Sequence, residues 1–387
     1  MSTPNLDVDD LIDDPLVRTI ICCGSGGVGK TTTAAAVAIR AAEAGRSVVV
    51  LTIDPARRLA QALGLEHLDN DPAAVHTIDT SSGGSLDAMM LDMKRTFDEV
   101  VMAHSTPEKA QAILANPVYK AVSGSFAGTQ EYMAMERLGQ LHLEERDGQP
   151  RWDLIVVDTP PSRSAMDFLD APKKLGSFLD GRFIRLMTAP AKVGGRAYLK
   201  VVSVGIGSVT AVMSKIMGAQ LLTDLQTFIA AMDTMFGGFR ERADQTYAAL
   251  RDPSTAFLVV ASPEKDALRE ASFFVDRLAS EGMPLAGLVV NRIQPITIPS
   301  LSAAKATETA AAIDGSTSTE GAWTPPDTVA LLAVHAEAAE QATRHRAAVA
   351  RFTAAHGDIA QVHVAAAGAD VNDVDQLREI GRALSGT

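Results

Sequence analysis

Two adjacent cysteines, Cys22 and Cys23, are the whole thiol content of this 387-residue chain. Neighbours on a strand project to opposite faces, so the pair cannot close an ordinary disulfide. With no Cys-x-x-Cys anywhere, a thiolate zinc site is excluded. Both cysteines read as small buried hydrophobes of a reducing compartment. Basic charge is also short. The 35 Lys and Arg stand against 47 Asp and Glu, a formal net charge of −12, the wrong sign for a protein that coats a phosphate backbone, so no nucleic-acid partner is expected. Long apolar runs are missing too: the most weakly polar stretch, residues 201–214, is shorter than the roughly 20 residues of a bilayer-crossing helix and is broken by Gly and Ser. The N-terminus, MSTPNLDVDDLIDDP, is acidic and lacks the basic-then-apolar order of a signal peptide. Residues 1–16 are read as a loose acidic tail. The chain is expected to be cytoplasmic, meeting a membrane only through a partner.

What is present is apolar and periodic. Hydrophobic residues make up 47% of the chain, enough for a large core. Short apolar runs at 17–23, 47–53, 154–157, 256–261, 286–290 and 360–364 alternate with helical stretches. That alternation predicts an α/β fold with a mostly parallel central sheet flanked by helices. Two stretches depart from it, about 86–148 and 171–250, and read as a helical subdomain inserted between strands. They divide the core into 17–85, 149–170 and 251–387. In the second stretch Leu221, Leu225, Phe228, Met232 and Phe236 repeat at helical spacing. Such a stripe is either core or a binding face; its spacing alone favours core, and the Met-rich insertion, which repacks easily around varied partners, pulls the other way. Residues 301–327, rich in Ala, Thr, Ser, Gly and Pro, read as a low-complexity linker. A long helix over 329–356, a last strand and a helix over 373–384 close the chain.

The first apolar run, in VRTIICCGSGGVGKTTT, feeds Gly24, Ser25, Gly26, Gly27, Val28, Gly29, Lys30, Thr31 and Thr32. The spacing G-x-x-x-x-G-K-T is specific. Glycines let successive backbone N–H groups curl round a polyphosphate, Lys30 supplies a cation for the β and γ phosphates, and Thr31 offers a hydroxyl to Mg²⁺. The Ala-rich stretch that follows begins a helix whose N-terminus faces the same anion. ATP with Mg²⁺ is the expected ligand. The second run ends in Asp54-Pro55 and the third in Asp158-Thr159-Pro160-Pro161, and both carboxylates fall at the carboxyl edge of the sheet, on the side of the loop. Asp54 can orient the water that attacks the γ-phosphate, or it can be only a strand-to-helix turn. Asp158 holds Mg²⁺ directly or through water.

With these motifs the chain resembles the ArsA-type ATPases, the arsenite-pump and tail-anchored-protein-targeting branch of the deviant P-loop NTPases. The resemblance rests on Gly24 to Thr32, on Asp54-Pro55-Ala56 and Asp158-Thr159-Pro160-Pro161 as two switches, and on Gly128-Thr129-Gln130-Glu131-Tyr132 in the insertion. It covers residues from about 18 to 385. It implies that Asn291, in Val289-Val290-Asn291-Arg292, pairs with the adenine edge; by itself an Asn there is equally a cap or turn former. The departures are as informative. Ser25 stands where members carry a signature lysine that reaches into the opposite subunit's site. Arg57 and Arg58 replace His and Ser, either restoring that charge in cis or serving as plain surface arginines. Arg163 and Ser164 replace the Gly and His of the second switch. The metalloid-binding cysteines and the Cys-x-x-Cys dimer clasp have no counterpart.

The resemblance implies a dimer, and a lysine that acts in trans implies that this chain's own pocket is complete while its partner's is not. A heterodimer with a lysine-bearing paralogous ATPase follows as the expectation. The leading reading is a Mg-dependent ATPase, with Lys30 and Asp54 catalytic. Its nucleotide-dependent dimer forms or disperses a hydrophobic helical groove for a membrane-protein segment or membrane partner. The alternatives are a non-catalytic ATP-binding regulatory subunit, or a positioning ATPase of the related deviant class, against which the acidic C-terminus speaks.

Overall fold

The computed structural model describes residues 3–53, 58–103, 105–122, 129–160, 245–313 and 324–385. Asp54 to Arg57, Gly128, Pro161, Arg163, Ser164, the 201–214 stretch and the stripe from Leu221 to Phe236 lie outside them. Along the described chain the elements are α1 (Val8–Asp13), β1 (Thr19–Cys23), α2 (Lys30–Glu43), β2 (Ser47–Thr52), α3 (Arg58–Ala62), β3 (Ala73–Ala74) and β4 (Ser85–Met90). There follow α4 (Met93–Ala103), α5 (Pro107–Ala115), α6 (Pro117–Val122), α7 (Thr129–Leu143), β5 (Glu145–Arg146), β6 (Gln149–Pro150) and β7 (Leu154–Asp158). The rest comprises β8 (Thr255–Ala261), α8 (Lys265–Glu281), β9 (Leu285–Ile293), α9 (Ala303–Ile313), α10 (Pro325–Ala355), β10 (Gln361–Ala365) and α11 (Val374–Leu384).

Eight strands form one sheet in the order β10-β9-β8-β1-β7-β2-β4-β3, parallel throughout except for β3 against β4. The three central strands β8, β1 and β7 are buried at every position, as a parallel strand covered on both faces must be. Alternation along β1 sends Ile20 and Cys22 into a layer shared with α1, α2 and α11, and Ile21 and Cys23 into a layer shared with α4, α7, α8 and α10. The two thiols therefore lie on opposite faces, both free and buried. Their burial keeps them protonated: the Cys22 thiol is pushed well up, with Asp158 adding to the effect, and Cys23 is pushed up to about 12. Six alanines of α2 are buried against the sheet; side chains this short let the helix lie close to the strands that position the loop before it.

Four expectations need correction. Residues 86–90, assigned to the helical insertion, belong to β4, which pairs with β2 along its whole length. Six residues are too few for periodicity to separate strand from helix, and the free edge of β2 decides the matter. Residues 145–148, assigned to the same helical insertion, belong to the β5–β6 hairpin, turned by Asp147 and Gly148 at positive φ. The acidic N-terminus is not loose. Leu6, Val8 and Ile12 are buried among its acids, Asp7 caps α1, Asp9 pairs with Arg40, and Arg46 donates to the carbonyls of Ile12 (3.1 Å) and Val17 (2.8 Å). Part of the 301–327 linker is helix α9, packed on α10, and α10 starts before Val329, at a capping box of Thr324 and Asp327 followed by Pro325. Among the described residues no helix is long and apolar enough to cross a membrane.

At the far edge of the sheet from the loop, His142 at the end of α7 meets the Thr19 hydroxyl, Nε2 to Oγ1 3.0 Å. Burial, with Arg18 nearby, holds the imidazole down to about 4. It is neutral in the native chain, whereas the unfolded chain takes up the proton near the ordinary 6.5, so stability is full above that value and is lost as pH falls from it towards 4. A fully expressed shift corresponds to about 3 kcal/mol as an upper bound. The loss of Tm between pH 7 and about pH 4.5 is expected to be shallower in His142→Gln than in the wild type. Parallel melting curves for the two proteins would contradict this.

Candidate functional site

The loop leaves β1 after Cys23 and enters α2 at Lys30. Two of its glycines are required by close approach. A Cβ on Gly24, whose φ is +152°, would lie 2.0 Å from the Val260 carbonyl oxygen of β8, and one on Gly29, at φ +98°, would lie 2.2 Å from Asn291 Nδ2. The loop is thus pressed on one side by the β8 backbone and on the other by the end of β9. Its crest is open: Gly26 and Gly27 are exposed and Ser25 is half-buried.

Lys30 is buried, and its ammonium turns back to donate to the Ser25 carbonyl at 2.8 Å. No side chain caps α2, whose N-cap is Gly29; the amides of its first turn, with Thr31 and Thr32 half-buried there, face the loop with their dipole positive end. Asp158 terminates β7 between β1 and β2, in register with Cys22 on one side and Thr52 on the other. It is wholly buried, and its Oδ2 accepts from the Thr31 hydroxyl at 2.7 Å and from the Thr52 hydroxyl at 2.9 Å. Ile53 donates its N–H to the Asp158 carbonyl at 3.1 Å, and Thr159 donates N–H and Oγ1 to the Cys22 carbonyl at 3.2 and 2.9 Å. Asn291 is buried and donates from Nδ2 to the Val28 carbonyl at 2.9 Å, while its Oδ1 accepts from the Arg292 N–H at 2.9 Å. Arg292 sits at φ +62°, a left-handed backbone that costs about 1 kcal/mol or more in a residue other than glycine.

The structure therefore brings Gly24 to Thr32, Asp158 and Asn291 together at the carboxyl edge of the sheet, and Asp54 lies outside the described residues. Asn291 acts on the loop itself in this arrangement. Thr52 is the participant that sequence reasoning missed. Its only signal is a hydroxyl at the end of an otherwise apolar strand two residues before Asp54. Chemically the site joins a cation and helix amides suited to phosphate with a carboxylate and hydroxyls. Hard oxygens of this kind match Mg²⁺ rather than a thiophilic metal, so Thr31 and Asp158 fit the ion expected of them.

Comparison with known proteins accords with this geometry. The profile of the ArsA ATPase family, described as anion-transporting ATPases, matches residues 17–312. Among curated relatives, an ATPase ASNA1 homolog of Cryptosporidium parvum is 25% identical over 312 residues, 78% of this chain and 74% of that protein. The ATPase GET3 of Kluyveromyces lactis is 29% identical over 180 residues, 45% of this chain and 50% of that protein, and the ATPase get3 of Schizosaccharomyces pombe is 25% identical over 291 residues, 74% of this chain and 76% of that protein. Several relatives are matched over only 28% to 50% of their own length. With a profile match over most of its length and the loop, carboxylate and strand-end asparagine assembled at one sheet edge, the chain belongs to the ArsA ATPase family of anion-transporting ATPases.

Proposed function

We propose that this chain binds ATP with Mg²⁺ in the loop of residues 24–32 and hydrolyses it to ADP and phosphate. The observation that carries the reading is the single oxygen of Asp158 shared by Thr31 and Thr52, with Thr31 next in the chain to a Lys30 whose ammonium rests on the loop carbonyl of Ser25. The loop and α2 amides bind the phosphates, and Lys30 leaves the Ser25 carbonyl to neutralise the β and γ oxygens. Asp158 orients Thr31 so that its hydroxyl oxygen faces the ion. Asp54 orients the attacking water. Mg²⁺, when bound, supplies Lewis-acid charge to the phosphate oxygens. Asn291 holds the Val28 carbonyl and turns the base-facing end of β9 towards the adenine.

Two finer parts of the proposal rest on the family resemblance. The chain works as a dimer, and the serine at position 25 calls for a paralogous partner whose lysine completes this chain's site across the interface. The client is a hydrophobic helix of a membrane protein, or a membrane partner, received by the helical insertion in one nucleotide state and released in the other.

The carboxylates separate by function. Asp54→Asn is expected to retain nucleotide affinity and lose turnover by about a hundredfold, whereas Asp158→Asn loses Mg²⁺-dependent affinity as well; titration with and without the metal, alongside phosphate release, distinguishes them. Adding the lysine-bearing paralogue to the purified chain should raise turnover by about a hundredfold or more, the scale of a trans-acting cation, and Ser25→Lys should raise the turnover of the chain alone. Equal rates in all three preparations would count against the heterodimer. Deleting residues 201–218 is expected to abolish capture of a hydrophobic helix while leaving ATP binding intact, and surviving capture would place the groove elsewhere.

A further inference from the structure

The segment that carries Asn291 is weakly held by the sheet. Pairing of β9 with β8 ends at Val290, and on the other side the ladder with β10 slips between His363 and Ala365, opposite Asn291 and Arg292. Arg292 lies in the left-handed region at this slip. A backbone of this kind persists only where its surroundings fix it from several sides. The fixings are Asn291 on Val28, the Ala366 N–H on the Ile293 carbonyl at 2.8 Å, and the Gln294 N–H on Nδ1 of His345 at 3.1 Å. The last comes from a buried residue of α10, outside the sheet. A backbone N–H only donates, so Nδ1 carries its lone pair and the proton of the neutral ring is on Nε2.

On the reading of this edge as a nucleotide site, we propose that His345 is its positioning residue: unprotonated Nδ1 secures the chain just beyond Asn291, and protonation converts that acceptor into a donor and frees the strand end. A second histidine of the same helix, His335, meets the Leu301 carbonyl through Nε2 at 2.8 Å. There the ring is the donor, which protonation preserves, so acid loosens the 294 end of the loop and spares the 301 end. The charged groups acting on His345 are Glu264, at the turn into α8, which favours the proton, and Arg344 on its own helix, which opposes it; burial outweighs both and holds the imidazole below its ordinary 6.5. The neutral, securing form therefore prevails at neutral pH and is lost only below that value.

Two readouts on the full chain test this: hydrogen exchange of residues 291–301 without nucleotide, and fluorescence titration with N-methylanthraniloyl-ADP and Mg²⁺, each from about pH 8 to about pH 5.5. His345→Phe removes the acceptor and is expected to speed exchange and raise Kd about fivefold at neutral pH, the scale of one net hydrogen bond. His345→Asn keeps an acceptor at the δ position without titrating. It should match the wild type at neutral pH and show a shallower loss of affinity in acid. Parallel acid profiles for wild type and His345→Asn, or unchanged affinity in His345→Phe, would overturn the inference while leaving the nucleotide site standing. A wild-type chain that binds no nucleotide at any pH would overturn the reading of the site and this inference with it.

Discussion

One carboxylate oxygen organises the edge of this sheet. Oδ2 of Asp158 receives hydroxyls from Thr31 on α2 and Thr52 on β2, so a helix and two strands converge on a single buried acceptor. Hydrogen bonds to a charged acceptor are stronger than neutral ones, and removing either partner leaves a buried charge less well solvated. The bond is possible only because β1 and β2 flank β7 in register, with Cys22 and Thr52 both opposite Asp158. Sheet order, register and chemistry are thus one constraint. A slip of one residue in β7 would turn Asp158 to the other face of the sheet.

The remainder of the architecture protects that register. Both faces of the central strands are covered, on one side by alanine-rich α2 with α1 and α11, on the other by α4, α7, α8 and α10. Arg46 adds a polar pin at the opposite end of the sheet. It bonds Asp153 through both side chain and backbone and holds the N-terminal segment through Ile12 and Val17. The acids of that segment, which in sequence look like a solvated tail, serve as cap and ion partner for a short helix whose apolar side chains complete the core.

Legibility from sequence follows the range of the interaction. Strands β1, β2, β7, β8, β9 and β10 announce themselves because each is a local apolar run, and the loop is legible because its function needs consecutive residues. Strand β4 is not legible, since Leu86, Ala88 and Met89 become strand only through pairing with β2. Helix α9 and the early start of α10 were hidden by a composition that loops share with alanine-rich helices, although Thr324 and Asp327 carried a capping signal. Thr52 and His345 are hardest of all: nothing local marks them, and their roles exist only once β2 meets β7 and α10 meets the end of β9.

Gly24 carries a mechanical consequence. With its backbone against Val260 and Asn291 on the Val28 carbonyl, the loop is an anvil rather than a hinge. A ligand seated there meets backbone already braced by two strands while the lysine side chain swings over to it, so the glycine turn serves as the reference from which the displacement of other parts of the chain is measured.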